Sequence, residues 1–401
     1  FMDIGKLYLF IEVEVNKIIF CVVKYSEELN LEIIEKKILD LKDTENRKIA
    51  NLKKSSNLIK EETRVLEKKL NTVFKKVIVA YHPESLQIIN ISGYKKINGQ
   101  QILHDDISYI LNDIKKIVMN GHADYSLLHL FNSNYVLDKN PLNNLPIGLY
   151  GEFYNQHLTF FLMRNSEIQN IKIIFSESQL EIEKIILKPF ALGIKKVNEE
   201  KDFQDPLVIL NIFNNRISIS IFIKSSLIYC KEYNFGSDII KKDISKVCSL
   251  KIETVHNILK EIEIDKIEKN TNNILDSKFF NGEIFRKISI NHLREIIEAR
   301  LNEISDIILN KNVDVSFLKN KKKKFFVKIE DFDCMKNLKE IIKREFVKNN
   351  YYEIDEMTQD DHFESCISSA EILSKGWEKE AIPIIHQKKS LISKIFSTLF
   401  K

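Results

Sequence analysis

Three groups of residues have types and spacings that could do chemistry. His104, Asp105 and Asp106, or His122 with His129, carry side chains that ligate divalent metals, but neither set has the spacing of a known ligand set, so no metal is expected. Lys321 to Lys324 place adjacent ammonium groups where they would attract phosphate. No aromatic residues interleave that run, and 61 basic against 57 acidic residues leave a net charge of +4, so it reads as a solvated loop rather than a nucleic-acid surface. The third group is Leu391, Ile392, Ile395, Phe396, Leu399 and Phe400, which share one face of a helix, with Lys388, Lys389, Lys394 and Lys401 around it. Such a helix lies in a lipid headgroup layer, too short to cross it, and its lysines favour anionic lipid. Half-burial of these six side chains stabilises binding by roughly 5 to 9 kcal/mol before ordering costs, enough for reversible attachment.

Other chemistries lose their usual support. There is no G-x-G-x-x-G, G-x-x-x-x-G-K-[ST] or G-x-S-x-G among the ten glycines. Cys21, Cys230, Cys248, Cys334 and Cys366 are scattered and odd in number, which argues against a disulfide framework or zinc ribbon and fits a reducing compartment. No signal peptide and no uncharged apolar window of spanning length is visible, so the expectation is neither export nor a bilayer span.

The elements that must position these residues follow from periodicity. Residues 7–13 and 17–23 read as a β-hairpin after Gly5, and residues 31–74 as two charged helices with Ile33, Ile34, Ile38 and Leu41 on one stripe. Strands are expected at 76–80 and 86–94, a helix from His104 to Val118, an exposed-edge strand at 153–164, a helix from Glu167, a strand at 182–187 and a turn at Pro189. A second hairpin, at 207–212 and 217–223, is followed by a strand ending at Phe235-Gly236, helices at 238–247, 252–261 and 292–309, and a strand at 325–329. Hairpins opening both halves suit two related α/β lobes.

In order along the chain, Ile91-Ser92-Gly93 with Ile107, the stretch from Leu130 through Asn144-Leu145-Pro146-Ile147-Gly148-Leu149-Tyr150-Gly151, Ile185 to Phe190, and Glu295-Ile296-Ile297-Glu298-Ala299-Arg300 resemble motifs of the FtsA family of bacterial cell-division proteins. That resemblance implies an α/β, actin-like two-lobed fold with a small α+β inserted domain and a C-terminal amphipathic helix. Its parts would be 1–80 with 166–200 (lobe 1), 81–165 (insert), 206–240 with 311–375 (lobe 2 core), 241–310 (its subdomain, taking the FtsZ tail), a linker at 376–388 and a membrane helix at 389–401.

The resemblance also implies a site for ATP with Mg²⁺, in which Asp3, Gly5 and Lys6 align with the first phosphate hairpin, Asn211 with the second, Gly236 and Ser237 with a glycine-pair loop, and Lys260 with a ribose-side lysine. Several positions depart from the family. Asn211 replaces an acid, Phe213, Asn214 and Asn215 replace glycines, Asn257 replaces an acid, and Glu330-Asp331-Phe332 stands where a glycine-rich adenosine loop belongs. ATP binding is thus expected to be weak or lost and hydrolysis absent.

Arg294, Glu298 and Arg300 are the residues implied for the acidic FtsZ C-terminal tail, since arginine forks match carboxylates. Residues 391–401, with Lys394, would hold the chain to the inner face of the bacterial membrane at the septum. Further divisome proteins on the insert and self-association complete the implied partners, and nucleic acid is not among them. The alternatives are a functional actin-like ATPase and an actin-like pilus-assembly adaptor.

Overall fold

The computed structural model describes residues 3–14, 17–28, 30–41, 52–200, 205–266, 273–280, 282–347 and 350–381. The expected membrane helix, with Leu391, Ile392, Lys394, Ile395, Phe396, Leu399 and Phe400, lies outside the described residues. No described helix is long and apolar enough to cross a membrane. The chain divides into two units, the first made of residues 1–202, 224–228 and 359–401, the second of 203–223 and 229–358.

In the first unit, β1 (Leu7–Val13) and β2 (Lys17–Tyr25) form an antiparallel hairpin, and β3 (Leu31–Asp40) extends it. After α1 (Leu52–Leu70), β4 (Lys76–Tyr81) joins β1 in parallel. The chain then builds a separate four-stranded sheet from β5 (Gln87–Lys96), β6 (Tyr125–Leu137), β7 (Asn140–Leu142) and β8 (Phe153–Arg164), with α2 (His104–Gly121) between β5 and β6. Ile107, Ile110, Leu111, Ile114 and Val118 of α2 form one buried cluster with Leu130, Tyr154, Leu158 and Phe160 of that sheet. Following α3 (Asn165–Ser176), β9 (Glu181–Leu187) returns to pair with β4, and α4 (Lys188–Glu199) ends this stretch. The larger sheet has the order β3-β2-β1-β4-β9.

Its strands β1, β2 and β4 are near-continuous runs of Ile, Val, Leu and Phe because both faces are covered. Leu9, Ile11, Phe20, Val77 and Val79 share a core with Ile59 of α1 and Ile171, Ile174 and Phe175 of α3.

The second unit repeats the plan. β10 (Leu207–Ile212) and β11 (Ile217–Ile223) form a hairpin that β12 (Ser226–Tyr233) extends, its first residues, 226–228, being grouped with the first unit. Then come α5 (Asp238–Cys248), α6 (Ile252–Glu261), α7 (Ile290–Ser305), β13 (Lys324–Ile329) parallel to β10, the short α8 (Phe332–Met335) and α9 (Lys339–Ile342), and β14 (Tyr351–Glu356) parallel to β13. The order β12-β11-β10-β13-β14 matches that of the first sheet strand for strand. Finally α10 (Glu364–Lys375) packs in the first unit against α4, β1 and β2, where the Tyr25 hydroxyl donates to the Ala370 carbonyl at 2.9 Å.

Several expectations are corrected. Residues 31–40 form strand β3, not a helix, because they pair along β2; an extra residue, Ile34, sits in that ladder where Val22 pairs with Glu35 and Val23 with Ile33. That bulge mimics helical spacing in the Ile33-Ile34 pair. Strand β8 is central, between β5 and β6, rather than at an edge. Pro189 opens α4 from its first turn, where a missing N–H costs nothing, instead of making a loop. β14 was not expected at all.

The linker expected from residue 376 does not begin there. Gly376 stops α10 at φ +70°, ψ −179°, a conformation reserved for glycine, and the chain turns back onto β6. Asn132 N donates to Lys379 O at 2.9 Å, Ala381 N donates to Leu130 O at 2.7 Å, and Glu380 and Ala381 are buried.

Candidate functional sites

In each five-stranded sheet the first strand pairs antiparallel with the second up to its end. The ladders set the correspondence: Val13 pairs with Ile18 and Ile212 with Ile217, so Glu12 in the first unit is the counterpart of Asn211 in the second. Asp3, Gly5 and Lys6 lie in a turn entering β1, about 20 Å of strand away from its hairpin turn, which corrects the phosphate role expected of them. There Asp3 N donates to the Tyr8 hydroxyl at 2.6 Å, Gly5 at φ +80° donates to Tyr25 O at 3.1 Å, and an exposed Lys6 pairs with Asp3 at 3.4 Å.

The first unit's hairpin turn holds a buried charge cluster that sequence reading missed. Glu12 is 1% exposed, its carboxylate meets Lys188 of α4 at 2.5 Å, and the Ser365 hydroxyl of α10 donates to its other oxygen. Lys188 also bonds Glu14, and Lys17 lies 3.9 Å from Glu14. Burial pushes the Glu12 carboxyl up to about 7, partly offset by Lys188 and reinforced by Glu14. Aligning the two hairpins by their equal spacing would have flagged Glu12.

In the second unit, Asn211 is buried and its amide lies 3.4 Å from the Ser218 hydroxyl. Asn214 N donates to Glu330 Oε2 at 2.9 Å, while Ser237 N and Asp238 N donate to Phe213 O and Asn214 O at 3.0 and 2.9 Å. The Ser237 hydroxyl donates to Asn214 Oδ1 at 3.3 Å. Gly236 lies flush on this turn: a Cβ there would sit 2.1 Å from Phe213 O and 2.6 Å from both Arg216 N and Asn214 O. Gly236→Ala should therefore destabilise the protein by about 1–3 kcal/mol, read as a lower urea midpoint, because the obstacles are backbone atoms that cannot rotate away.

Phosphate binds such turns through their amides. Here a carboxylate from the same unit already accepts from the Asn214 amide, and the turn carries side chains in place of close-approach glycines. These residues do not fit a Mg²⁺-nucleotide. Lys260, expected beside a ribose, pairs with Asp333 at 3.1 Å.

Beside this turn the structure gathers a cluster with no sequence signature. His256 of α6, Asp331 and Cys334 place an imidazole nitrogen, a carboxylate oxygen and a sulfur within 4.8 Å of one another. Cys334 Sγ is 3.1 Å from His256 Nδ1, and burial, together with the Asp331 charge, pushes the thiol up to about 12. Lys241 donates to Asp331 at 2.7 Å and pairs with Asp238 at 2.9 Å. The only hint in sequence is D-x-x-C at 331–334, since His256 lies far upstream.

On α7 the three expected tail-binding residues separate. Arg294 is 6% exposed and its guanidinium donates to the Ile264 carbonyl, so its expected contact with a partner peptide is corrected: it is part of the core. Glu298 pairs with Arg344 at 2.9 Å, and partly exposed Arg300 bonds Asp243 of α5 and Glu303 at 2.5 Å. The Asp243 bond holds the Arg300 guanidinium above its already high range. His104, Asp105 and Asp106 form no metal set; Asp106 accepts from Leu103 N at 2.7 Å and from Lys95 at 2.8 Å, capping α2. His122 ends the same helix, 3.0 Å from Val118 O.

His129 lies in the core of the first unit. Leu187 N donates to its Nε2 at 3.0 Å, so Nδ1 carries the proton and donates a hydrogen bond to the Glu380 carboxylate. Its ring packs on Phe131 and Phe190, and Trp377 meets Phe190 edge to face at 5.6 Å. The docked segment 377–381 is thus held by a buried ion-and-ring cluster.

No family model matches the chain. Among curated proteins it is 20% identical over 263 residues to the cell division protein FtsA of Neisseria meningitidis serogroup B, a stretch that spans 65% of this chain and 63% of the relative. It is 24% identical over 178 residues to FtsA of Helicobacter pylori strain J99, covering 41% of this chain and 35% of that protein. Among solved structures, the PilM-PilN type IV pilus biogenesis complex superposes with a TM-score of 0.55 at 10% identity, covering 90% of this chain and 97% of the other. MreB5 of Spiroplasma citri bound to ADP gives a TM-score of 0.47 at 9% identity, covering 92% and 98%. The twice-used strand order and the likeness to the PilM-PilN complex give the chain an actin-like fold, and in sequence it is distantly similar to FtsA.

Proposed function

We propose that this protein is a cell-division adaptor that works by binding: it tethers FtsZ polymers to the inner face of the bacterial cytoplasmic membrane at the septum and helps gather other divisome proteins. Likeness to FtsA supports the division role, and the amphipathic face of residues 391–400 supports the tether. The observation that carries the non-catalytic character is the Glu330 carboxylate bonded to the Asn214 amide, which puts an internal anion where a phosphate would bind. ATP binding is weak or lost on this reading, and hydrolysis is absent. Many weak anchors gathered by self-association then hold by avidity.

FtsZ's acidic tail meets the α7 face through Arg300, with Glu298 its neighbour on the helix, and without Arg294. A pilus-assembly adaptor is the second reading, favoured by the fold likeness to the PilM-PilN complex. A labelled FtsZ tail peptide separates the two: saturable binding to the full chain supports the division reading, and none abandons it.

Two expected outcomes test the rest. The full chain should co-sediment with anionic phosphatidylglycerol vesicles while a chain ending at Lys389 stays in the supernatant; equal binding removes the anchor. In calorimetry with Mg·ATP the protein should give no tight, stoichiometric heat. Tight stoichiometric binding by the unaltered chain with phosphate release would instead establish an ATPase.

A further inference from the structure

We propose that His256, Asp331 and Cys334 form a Zn²⁺-binding site in the second unit. The donor set points to this metal: sulfur and imidazole nitrogen select zinc over magnesium or calcium, which take oxygen. The geometry is close to what zinc requires. Zn–S of about 2.3 Å and Zn–N of about 2.0 Å at a tetrahedral angle put the two ligand atoms about 3.5 Å apart. Cys334 Sγ and His256 Nδ1 stand at 3.1 Å, and the three-atom set fits within 4.8 Å.

The surroundings fix the donors. Asn337 Nδ2 donates to Leu259 O and Lys260 O at 3.0 Å each, and Lys260 pairs with Asp333 at 3.1 Å, so α6 is tied to the segment that carries Asp331 and Cys334. Lys241 donates to Asp331 at 2.7 Å, an outer hydrogen bond of the kind that orients ligating carboxylates. On binding, the Cys334 S–H bond is exchanged for Zn–S and its proton leaves to solvent. Thiolate and carboxylate then balance the two charges of the metal, and water completes the tetrahedron.

This site does not depend on the division role or on the fate of the nucleotide, and metal titration of the full chain tests it directly. Zn²⁺ titrated against a chromophoric chelator should bind one-to-one, and Co²⁺ in its place should show a near-ultraviolet thiolate-to-cobalt band. Cys334→Ser should abolish that band, and His256→Gln or Asp331→Asn should weaken Zn²⁺ at least about tenfold, with far-ultraviolet circular dichroism unchanged. No thiolate band in the unaltered protein, a band that survives Cys334→Ser, or equal affinity in the folded variants overturns the site. Should Cys334→Ser not fold, the Zn²⁺ affinities of His256→Gln and Asp331→Asn decide between the same two outcomes.

Discussion

Replacing Lys188 by methionine should lower the unfolding free energy by about 3–5 kcal/mol near pH 8, because it strips Glu12 and Glu14 of the ammonium they share in a buried turn. The methionine keeps the length and apolar stem of the lysine, so what is lost is charge rather than packing. The deficit depends on pH. Burial raises the folded carboxyl of Glu12 from 4.5 to about 7, so the folded state holds a proton that the unfolded state has released. Stability from this group is fully present below the unfolded value and is lost as pH rises through the folded one. Lys188→Met should therefore cost least near pH 5, where Glu12 carries its proton, and most above pH 7. Urea denaturation at both pH values measures this, and Glu12→Gln should flatten the profile between them. A deficit equal at the two pH values would show that the turn does not bury a titrating carboxyl.

His129→Leu should cost about 3–5 kcal/mol and free the segment that ends at Ala381. Leucine fills much of the imidazole volume but gives Glu380 no proton and leaves the Leu187 N–H without its acceptor. Glu380 is 1% exposed, and its carboxylate loses the Nδ1–H bond that balances burial. The strand made by Lys379 and Ala381 on β6 then peels away. Trypsin reports this independently of global stability, through faster cleavage at Lys379, and a Glu380→Gln control should retain the strand because an amide tolerates burial. Unchanged cleavage in His129→Leu would mean that Trp377 and the backbone bonds hold the segment alone.

Both hairpins were legible in the sequence, three of their four strands to the residue and β2 two residues short of its end at Tyr25, because strands buried on both faces read as unbroken apolar runs. Strand β3 was not legible, since one bulged residue shifts the apolar phase and turns an alternating pattern into a helical one. β14 was hidden in Tyr351–Glu356, whose acidic and aromatic residues suit a sheet margin and give no apolar run.

The second hairpin's loss of glycines was readable residue by residue, but the carboxylate filling it was not. Glu330 reaches Asn214 across 116 positions of sequence. For the same reason Asp3 stood in for Glu12: a motif match weighs residue types in order, whereas the ladder weighs distance from the turn. Arg294 misled in another way, because helical spacing places a residue on a face without saying which face is buried.

The first unit is finished only by residues that come after the whole second unit in sequence. Helix α10, which carries the buried Ser365, Cys366, Ser369 and Ala370, covers β1 and β2, and the strand on β6 follows it directly. On a ribosome the usual order is thereby reversed. The face of the first sheet that α10 covers stays open while the second unit, nearly continuous in sequence, can already close. A chain halted before residue 364 would expose the apolar face that α10 covers and become a target for chaperones and proteases. Segment 377–381, directly after α10 in sequence, docks on β6 of the same unit, so the first unit's closure and the docking of this segment depend on the same last-made residues.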